Sequence, residues 1–311
     1  MKGFISPRLH PLKSIFLFLV YMFAGICIGN LLGILLVKAF FGYGLLQIGE
    51  VMASPKEYPG SAQALVLFQA ITHLFGFTAA ALAFLKFNAQ NTGAFLSPRP
   101  FVPLGLLLAS AVLFLLIMPA NSFLIEWNMN IRFPAFLAGF EQWAKAKEEE
   151  LRRLTEALTV MDSLPQFLLA FVAIGVIPAI GEELVFRGYL QQELRRWWKN
   201  PHLAIWVTAF VFGAIHLQFY GFFPRMLLGV LFGYLYLWSK NIWVPIVGHL
   251  MNNGFQVLML YLAQHKMVEV DVDSAEAFPW YSALISLLIS AAVLYTLRQS
   301  FLRQSVPAHE A

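Results

Sequence analysis

The sequence predicts an all-α, polytopic membrane protein of about eight transmembrane helices, and three observations carry that prediction. The chain has 311 residues, of which 59% are hydrophobic and only 12% are charged. Because a soluble domain carries about 25% charged residues, this chain is expected to face lipid over most of its surface. The apolar residues recur in long windows, and a few ionisable side chains interrupt them.

Eight windows of about 20 apolar residues match the thickness of a bilayer core. They fall at roughly 14–37, 63–85, 101–124, 165–190, 202–219, 222–239, 242–263 and 279–297. The first window exceeds the about 7–15 residues of a signal-peptide core, so it is predicted to be a retained helix. The GFFP stretch leaves open whether the fifth and sixth windows are one bent segment or two short ones. Residues 1–311 are interpreted as one integral membrane domain.

Positive charges predict the orientation of these helices. Basic residues cluster in alternate connections, and acid-rich stretches occupy the others at 49–60, 126–163 and 266–278. Since cytoplasmic loops carry an excess of Lys and Arg, the basic set is expected inside, with both termini cytoplasmic and an even number of spans. The net charge of +4 is therefore attributed to cytoplasmic loops, and no nucleic-acid partner is expected. The basic set comprises Lys2, Arg8, Lys13, Lys86, Arg99, Arg195, Arg196, Lys199, Lys240, Arg298 and Arg303.

The connection 126–163 is predicted to be a non-cytoplasmic loop that contains an amphipathic helix. Its apolar residues recur at helical spacing, and charges of both signs fill the remaining positions. Such a helix suits the membrane interface or covers other helices, and a substrate-gating role is the alternative to simple packing. The apolar residues are Phe136, Phe140, Trp143, Leu151, Leu154 and Leu158.

Two glycine ladders predict close helix packing. Gly25, Gly29 and Gly33 recur every four residues in the first window, as do Gly229 and Gly233 in the sixth. Small residues at this spacing let helices approach closely in lipid. Packing within the chain is favoured over a dimer interface, and the oligomeric state stays open.

The stretch GEELVFRG places two acids and an arginine at the end of an apolar run. Glu183 and Arg187 share a helix face at a spacing of four, so they are predicted to form an ion pair. Glu182 lies about 100° further round the helix. It is expected to meet another helix or water in a cavity.

Two further windows carry polar residues at the same spacing. FGAIH places Phe212 and His216 four residues apart, and HLMNN does the same for His249 and Asn253. Ionisable residues within a membrane are functional by default. His73, in the second window, is instead interpreted as a hydrogen bond between packed helices. The one cysteine, Cys27, excludes an intramolecular disulfide and a thiolate metal cluster.

These side chains fit two routes to hydrolysis. In the first, the carboxylate of Glu182 acts as general base toward water beside one of the histidines, His216 or His249, while the other histidine and the Asn253 amide donate hydrogen bonds to the developing oxyanion. In the second, Glu182, His216 and His249 are three zinc ligands with a fourth position open for water. Residue spacing does not choose between the routes.

The three motifs together resemble a known family. EELVFR matches EExxxR, FGAIH matches FxxxH and HLMNN matches HxxxN, in that order along the chain. The chain is thereby similar to the CAAX-protease and bacteriocin-processing (CPBP/Abi) intramembrane proteases, which include the Ras-converting CAAX endopeptidase. The resemblance covers a catalytic core of roughly 165–262. It implies peptide-bond hydrolysis in an intramembrane cavity open toward the cytoplasm.

The resemblance also implies roles for individual residues. Glu182 and His216 would activate water, and His249 and Asn253 would form the oxyanion site. Structural support would come from Glu183, Arg187 and Phe212. The family has been described as both glutamate-type and metallo-type, so the implied cofactor is either none or a divalent metal such as zinc.

Substrate and location follow from the same resemblance. The expected substrate is a prenylated CAAX-like or other membrane-associated peptide or protein, and the expected location is a bacterial plasma membrane. Two alternatives are a non-proteolytic immunity or interaction protein on the same scaffold and an ion-coupled transporter. A transporter should show inverted-repeat symmetry, and the sequence shows none.

Overall fold

The protein is described by a computed structural model that covers residues 9–53, 58–88, 91–269 and 278–304. The predicted basic residues Lys2 and Arg8 lie outside the described residues, as do parts of two acid-rich connections, 54–57 and 270–277. Within the described residues every regular element is a helix, which confirms the predicted all-helical class.

The helices are numbered here in chain order. They are α1 Pro11–Phe41, α2 Leu45–Ala53, α3 Ser61–Phe87, α4 Thr92–Leu96, α5 Leu104–Leu116, α6 Met118–Met129, α7 Ala138–Leu158, α8 Leu164–Trp198, α9 Pro201–Ala214, α10 Phe222–Ser239, α11 Trp243–Gln264 and α12 Trp280–Arg303. Three stretches inside these helices are π-helical, namely Leu74–Ala79 in α3 and both Phe171–Val176 and Leu184–Leu190 in α8. Short 3-10 turns cover Ala135–Leu137 and Phe219–Gly221.

Each of the eight apolar windows falls on a helix, yet the predicted count of eight spans is not confirmed. Among the described residues, five helices are long and apolar enough to cross a membrane, and six if α5 and α6 form one span with a 42° bend. At about 1.5 Å per residue, the 14 residues of α9 fall short of a core about 30 Å thick. Polar side chains lower the mean hydropathy of α11, among them His249, Asn252 and Asn253.

Prolines lie at two helix boundaries, one inside the third window and one between the fifth and sixth windows. Pro119 lies in the first turn of α6, where its missing N–H breaks the hydrogen-bond ladder that would continue α5. The fifth and sixth windows are separate helices, because α9 ends at Ala214 and α10 begins at Phe222. Pro224 lies in the first turn of α10, where helix N–H groups have no partner within the helix.

The described residues belong to two compact units. The first is built from the described residues within Met1–Thr92, Glu149–Val185 and Asn253–Val272. The second is built from those within Gly93–Glu148, Phe186–Asn252 and Asp273–Ala311.

In the first unit, α1 packs directly on α3 through its glycine ladder. A Cβ atom at Gly25 would lie 2.4 Å from the carbonyl oxygen of Phe75, and one at Gly29 would lie 2.8 Å from Cα of Thr72. The hydroxyl of Thr72 donates a hydrogen bond of 2.9 Å to Asn30 of α1. The backbones approach so closely that only glycine fits, which confirms the predicted packing within the chain.

In the second unit, the other glycine ladder joins α10 to α9. A Cβ atom at Gly233 would lie 2.8 Å from Cγ2 of Ile205, and one at Gly229 would lie 3.2 Å from Ala209. A larger apolar core packs beside this pair of helices. Its buried members are Leu113, Phe114, Phe232, Leu235, Val244, Leu297 and Phe301.

The predicted amphipathic helix is α7, and its two ends have different surroundings. In the second unit, the side chains of Phe140 and Trp143 are exposed. Phe136, which lies just before the helix, has 83% of its surface exposed. In the first unit, Leu154 and Leu158 pack into an apolar cluster. The exposed aromatic end is the composition expected at a membrane interface.

Charged residues cover the remaining faces of α7. Hydrogen bonds from Arg152 and Arg153 lower the pKa of Glu149 to about 2, and a hydrogen bond from Lys145 lowers the pKa of Glu141. These pairs are largely exposed to solvent. Exposed ion pairs contribute little to stability. These residues therefore form the side of α7 that faces water and do little to hold the helix in place.

The α1–α3 contact can be tested with Gly25→Ala. The added methyl group would meet the Phe75 carbonyl oxygen at 2.4 Å, and overpacking of this kind costs about 1–3 kcal/mol. Gly105→Ala is the control, because nothing lies within 4 Å of its Cβ position. We expect a lower unfolding temperature in detergent for Gly25→Ala only; equal temperatures for both variants would contradict the packing.

Candidate active site

Glu182 and Glu183 lie on α8 between its two π-helical stretches. Both side chains are buried, with 9% and 0% of their surfaces exposed. The π stretches end at Val176 and begin again at Leu184. Such stretches are rare and recur at functional sites, because the extra residue in the turn changes the direction of every side chain beyond it.

In the first unit, Glu182 contacts His73 of α3. The Nε2 atom of His73 lies 3.3 Å from Oε1 of Glu182. His73 is the last residue before the π stretch of α3. The sequence predicted for His73 a hydrogen bond between packed helices; the contact is of that kind, and its partner is the predicted general base.

The first unit also contains Asn253, near the middle of α11. Its side-chain Nδ2 donates a hydrogen bond of 3.3 Å to the carbonyl oxygen of Ile174, inside the first π stretch of α8. This bond fixes the amide so that its nitrogen faces α8. The amide group also carries a second N–H.

In the second unit, Arg187 is fully buried among aromatic rings. Its guanidinium carbon lies 4.7 Å from the ring centroid of Phe212, 5.1 Å from that of Phe232 and 5.9 Å from that of Phe186. Its Nη2 atom donates a hydrogen bond of 2.8 Å to the carbonyl oxygen of Gly229. The planar, weakly hydrated guanidinium suits such stacking.

One ring of this aromatic cluster contacts both candidate histidines. The Phe212 centroid lies 5.3 Å from that of His216 and 5.9 Å from that of His249, each in an edge-to-face arrangement. Phe232 stacks on His249 at 4.9 Å with an angle of 18° between the rings. The rings that surround Arg187 thus also hold the two imidazoles.

The hydrogen bond of His216 determines its tautomer. Nδ1 lies 2.8 Å from the carbonyl oxygen of Phe212, and a carbonyl oxygen can only accept. In the neutral ring Nδ1 therefore carries the proton, and Nε2 carries the lone pair that can take a proton from water.

The backbone beside His216 is strained. Leu217 has a φ of 54°, which is unfavourable for a residue with a branched side chain. The helix α9 ends three residues earlier, at Ala214. Strain of this kind costs about 1–3 kcal/mol and clusters at functional sites.

The predicted site residues divide between the two units. Glu182, Glu183 and Asn253 belong to the first, and Arg187, Phe212, His216 and His249 belong to the second. The convergence of the four candidate catalytic residues and the ion pair between Glu183 and Arg187 stay predictions.

A metal site is not assembled by the side chains that the structure describes. Within them, no three His, Cys, Asp or Glu side chains form a group that could hold a metal ion. Glu182 belongs to the first unit and the two histidines His216 and His249 to the second, so the alternative zinc donor set stays a prediction.

Sequence reasoning missed three contributors to the site. His73 was the only one of them with a signal, since it is ionisable and lies in a predicted span. Phe232 looks like any other apolar residue of α10, and Gly229 was predicted only as a packing residue. The roles of both depend on contacts with Arg187, a residue 42 positions before Gly229.

Comparison with known proteins places the motifs in one family segment. Residues 164–255 match the family model of the type II CAAX prenyl endopeptidase Rce1-like proteins. The matched segment contains all three motifs and the four candidate catalytic residues. No solved structure matches the chain.

Three curated bacterial proteins are similar to parts of the chain. The "Putative membrane peptidase YdiL" of Bacillus subtilis is 30% identical over 104 residues, which are 32% of this chain and 41% of that protein. The "Membrane-embedded CAAX protease MroQ" of Staphylococcus aureus is 32% identical over 114 residues, 35% of this chain and 45% of that protein. The "Uncharacterized protein YpbD" of Bacillus subtilis is 27% identical over 82 residues, which are 25% of this chain and 39% of that protein. The chain thus spans less than half the length of each relative.

The aromatic setting of Arg187 can be tested with Arg187→Lys. Lysine keeps the charge but cannot stack a planar group on the rings or reach Gly229 in the same geometry. We expect a loss of about 1.5–3 kcal/mol of unfolding free energy, the range for a hydrogen bond to a charged group. Arg195→Lys, at an exposed position of the same helix, should leave stability unchanged. Thermal unfolding in detergent measures both, and an Arg187→Lys variant as stable as the parent would refute this account.

Proposed function

We propose that the protein is an intramembrane endopeptidase, because residues 164–255 match the Rce1-like family model. It hydrolyses a peptide bond of a prenylated CAAX-like or other membrane-associated peptide or protein. The observation that carries the proposal is that the family match contains Glu182, His216, His249 and Asn253 in the expected order. The relatives that are named as peptidase and CAAX protease support the same reaction class.

In the proposed reaction, Glu182 and His216 activate a water molecule. The water oxygen adds to the scissile carbonyl carbon while its proton passes to the carboxylate or to Nε2 of His216. The lone pair that the Phe212 bond leaves on Nε2 suits this role. The C–N bond then breaks, and the proton moves to the leaving nitrogen, so that one water molecule is consumed for each bond.

The oxyanion of the tetrahedral intermediate is assigned to His249 and Asn253. Both side chains offer N–H donors, and His249 is buried. Donors that are fixed in a water-poor site stabilise developing charge more than they would in bulk water. The rings of Phe212 and Phe232 around His249 and the bond from Asn253 to Ile174 would fix both donors before substrate arrives.

The position of Glu182, the proposed general base, favours a substrate that is held in the membrane. Glu182 lies on α8, one of the helices long and apolar enough to span a bilayer. A lipid-anchored peptide would reach such a site by moving within the membrane plane. The exposed aromatic end of α7 supports contact with the membrane interface.

The general base is tested with Glu182→Gln in proteoliposomes. We expect cleavage of a quenched farnesylated CAAX peptide to fall by about 10²–10⁴-fold, the contribution of a general base. Glu150→Gln, at an exposed position of α7, should leave the rate unchanged. The cleavage rate of the same peptide without its farnesyl group is measured in parallel. The difference between the two rates shows how far cleavage depends on a membrane-bound substrate.

The outcome separates two functions. Unchanged cleavage by Glu182→Gln would refute the proposed mechanism. A cellular phenotype that survives both Glu182→Gln and His216→Ala would favour the non-proteolytic immunity or interaction protein.

The catalytic type is tested by chelation. The proposed route activates water through Glu182 and His216, so it contains no metal step. We expect cleavage to persist after treatment with 1,10-phenanthroline, and zinc should not increase the rate of the treated protein. Loss of activity on chelation, restored by zinc, would instead assign Glu182, His216 and His249 to a metal.

A further inference from the structure

We propose that His73 is a positioning residue for hydrolysis, and that its Nε2–H group donates a hydrogen bond that orients the carboxylate of Glu182. This inference rests on the proposed function, since it gives His73 a part in the reaction assigned to Glu182. His73 lies outside the family segment 164–255 and outside the three motifs. Its contact with the general base comes from the fold of the first unit.

The distance between His73 and Glu182 is that of a hydrogen bond, and both side chains are largely buried. Nε2 of His73 lies 3.3 Å from Oε1 of Glu182, and the side chains are 15% and 12% exposed. Hydrogen bonds at catalytic groups are often long before substrate binds and tighten in the reacting complex. The low local dielectric strengthens such a bond relative to water.

The surroundings of the ring determine which nitrogen carries the proton. Nδ1 of His73 is buried and has no hydrogen-bond partner among the described residues. A buried N–H group without an acceptor loses its hydrogen bond to water and gains none in return, so a proton on Nδ1 is disfavoured. The carboxylate of Glu182 accepts from Nε2, and the neutral ring with its proton on Nε2 satisfies both conditions.

The ring itself is held on one face by Phe77. The two rings are stacked, with centroids 4.2 Å apart and 9° between their planes. Phe77 lies inside the π stretch that begins directly after His73. The wider turn brings a residue four positions later under the imidazole and restricts its rotation.

Gly181 allows the two helices to bring these groups together. A Cβ atom at this position would lie 2.9 Å from both Cβ of Phe77 and Oγ1 of Thr78, and 3.1 Å from Cε1 of His73. The glycine directly precedes Glu182, so the close approach of α8 to α3 occurs at the catalytic residue itself. This packing holds the backbone, while the hydrogen bond from His73 holds the carboxylate.

A fixed carboxylate matters for the chemical step. A hydrogen bond to one oxygen sets the rotation of the group and therefore the direction of the other oxygen. Misplacement of a reacting group by about 1 Å costs about 10²-fold in rate. Loss of the bond should therefore lower kcat, while KM stays nearly unchanged because His73 is not assigned a contact with substrate.

The competing interpretation is that His73 only packs, and two variants separate the interpretations. His73→Phe keeps a ring that can stack on Phe77 but removes the donor. His73→Gln removes the ring but places an amide N–H near the position of Nε2. Positioning requires the donor, whereas packing requires the ring.

The experiment measures kcat and KM of both variants with the farnesylated peptide in proteoliposomes. We expect His73→Phe to lose about 10-fold or more in kcat with KM within about twofold of the parent, and His73→Gln to keep most of its activity. Full activity of His73→Phe overturns the proposal. So does the reverse order, with His73→Gln inactive and His73→Phe active, because that order follows from packing.

A second measurement tests the contact without activity. In protein labelled with ¹⁵N-histidine, the His73 signals are assigned by their loss in His73→Gln. We expect the Nε2–H tautomer in the parent and a changed Nε2 signal in Glu182→Ala. An unchanged signal, with cleavage by the parent intact, overturns the role of His73 alone. Absence of cleavage by the parent, with the coupling present, overturns the proposed function and with it the catalytic role of His73, while the contact itself stands.

Discussion

Burial of charge in α8 is the constraint on which the rest of the site depends. Glu183 and Arg187 are fully buried and Glu182 nearly so, although the helix is apolar enough to span a membrane. A buried charge is tolerated only where partners replace the lost water. Arg187 finds aromatic faces and the Gly229 carbonyl oxygen, and Glu182 finds His73. The helices that pack on α8 therefore have to supply partners for these buried charged side chains.

Irregular helix geometry is the means by which α8 presents these charges. An α-helix with an unbroken 3.6-residue repeat would direct residues 182, 183 and 187 by their spacing alone, whereas π stretches flank the two glutamates. Each π stretch frees backbone groups from the usual ladder, and Asn253 bonds to one such carbonyl oxygen, that of Ile174. The same irregularity in α3 follows His73 directly. Helix distortion and candidate site residues therefore coincide on α3 and on α8.

The sequence predicts the helices better than the contacts between them. Every apolar window is a helix, and both glycine ladders pack as their spacing indicated, because hydropathy and small residues are local properties. The π stretches were not predictable, since no residue pattern distinguishes FVAIGV from an ordinary helical turn. The role of His73 depends on a residue 109 positions away, and such pairing is visible only in the fold. The predicted count of eight spans exceeds the five or six described helices that are long and apolar enough to cross a membrane, because α9 is too short and α11 is too polar.

A glycine stands directly beside one motif residue in each of the three motifs. Gly181 precedes Glu182, Gly213 follows Phe212 and Gly248 precedes His249. In each case an added Cβ would meet another helix closely, at 2.9 Å from Phe77, 3.1 Å from the Phe222 carbonyl oxygen and 2.4 Å from Phe114. Two helix backbones therefore come together beside Glu182, Phe212 and His249, where an added side chain would collide with the neighbouring helix. The glycines in GEE, FGA and GHL thus fix the packing of the backbone that carries each of these motif residues.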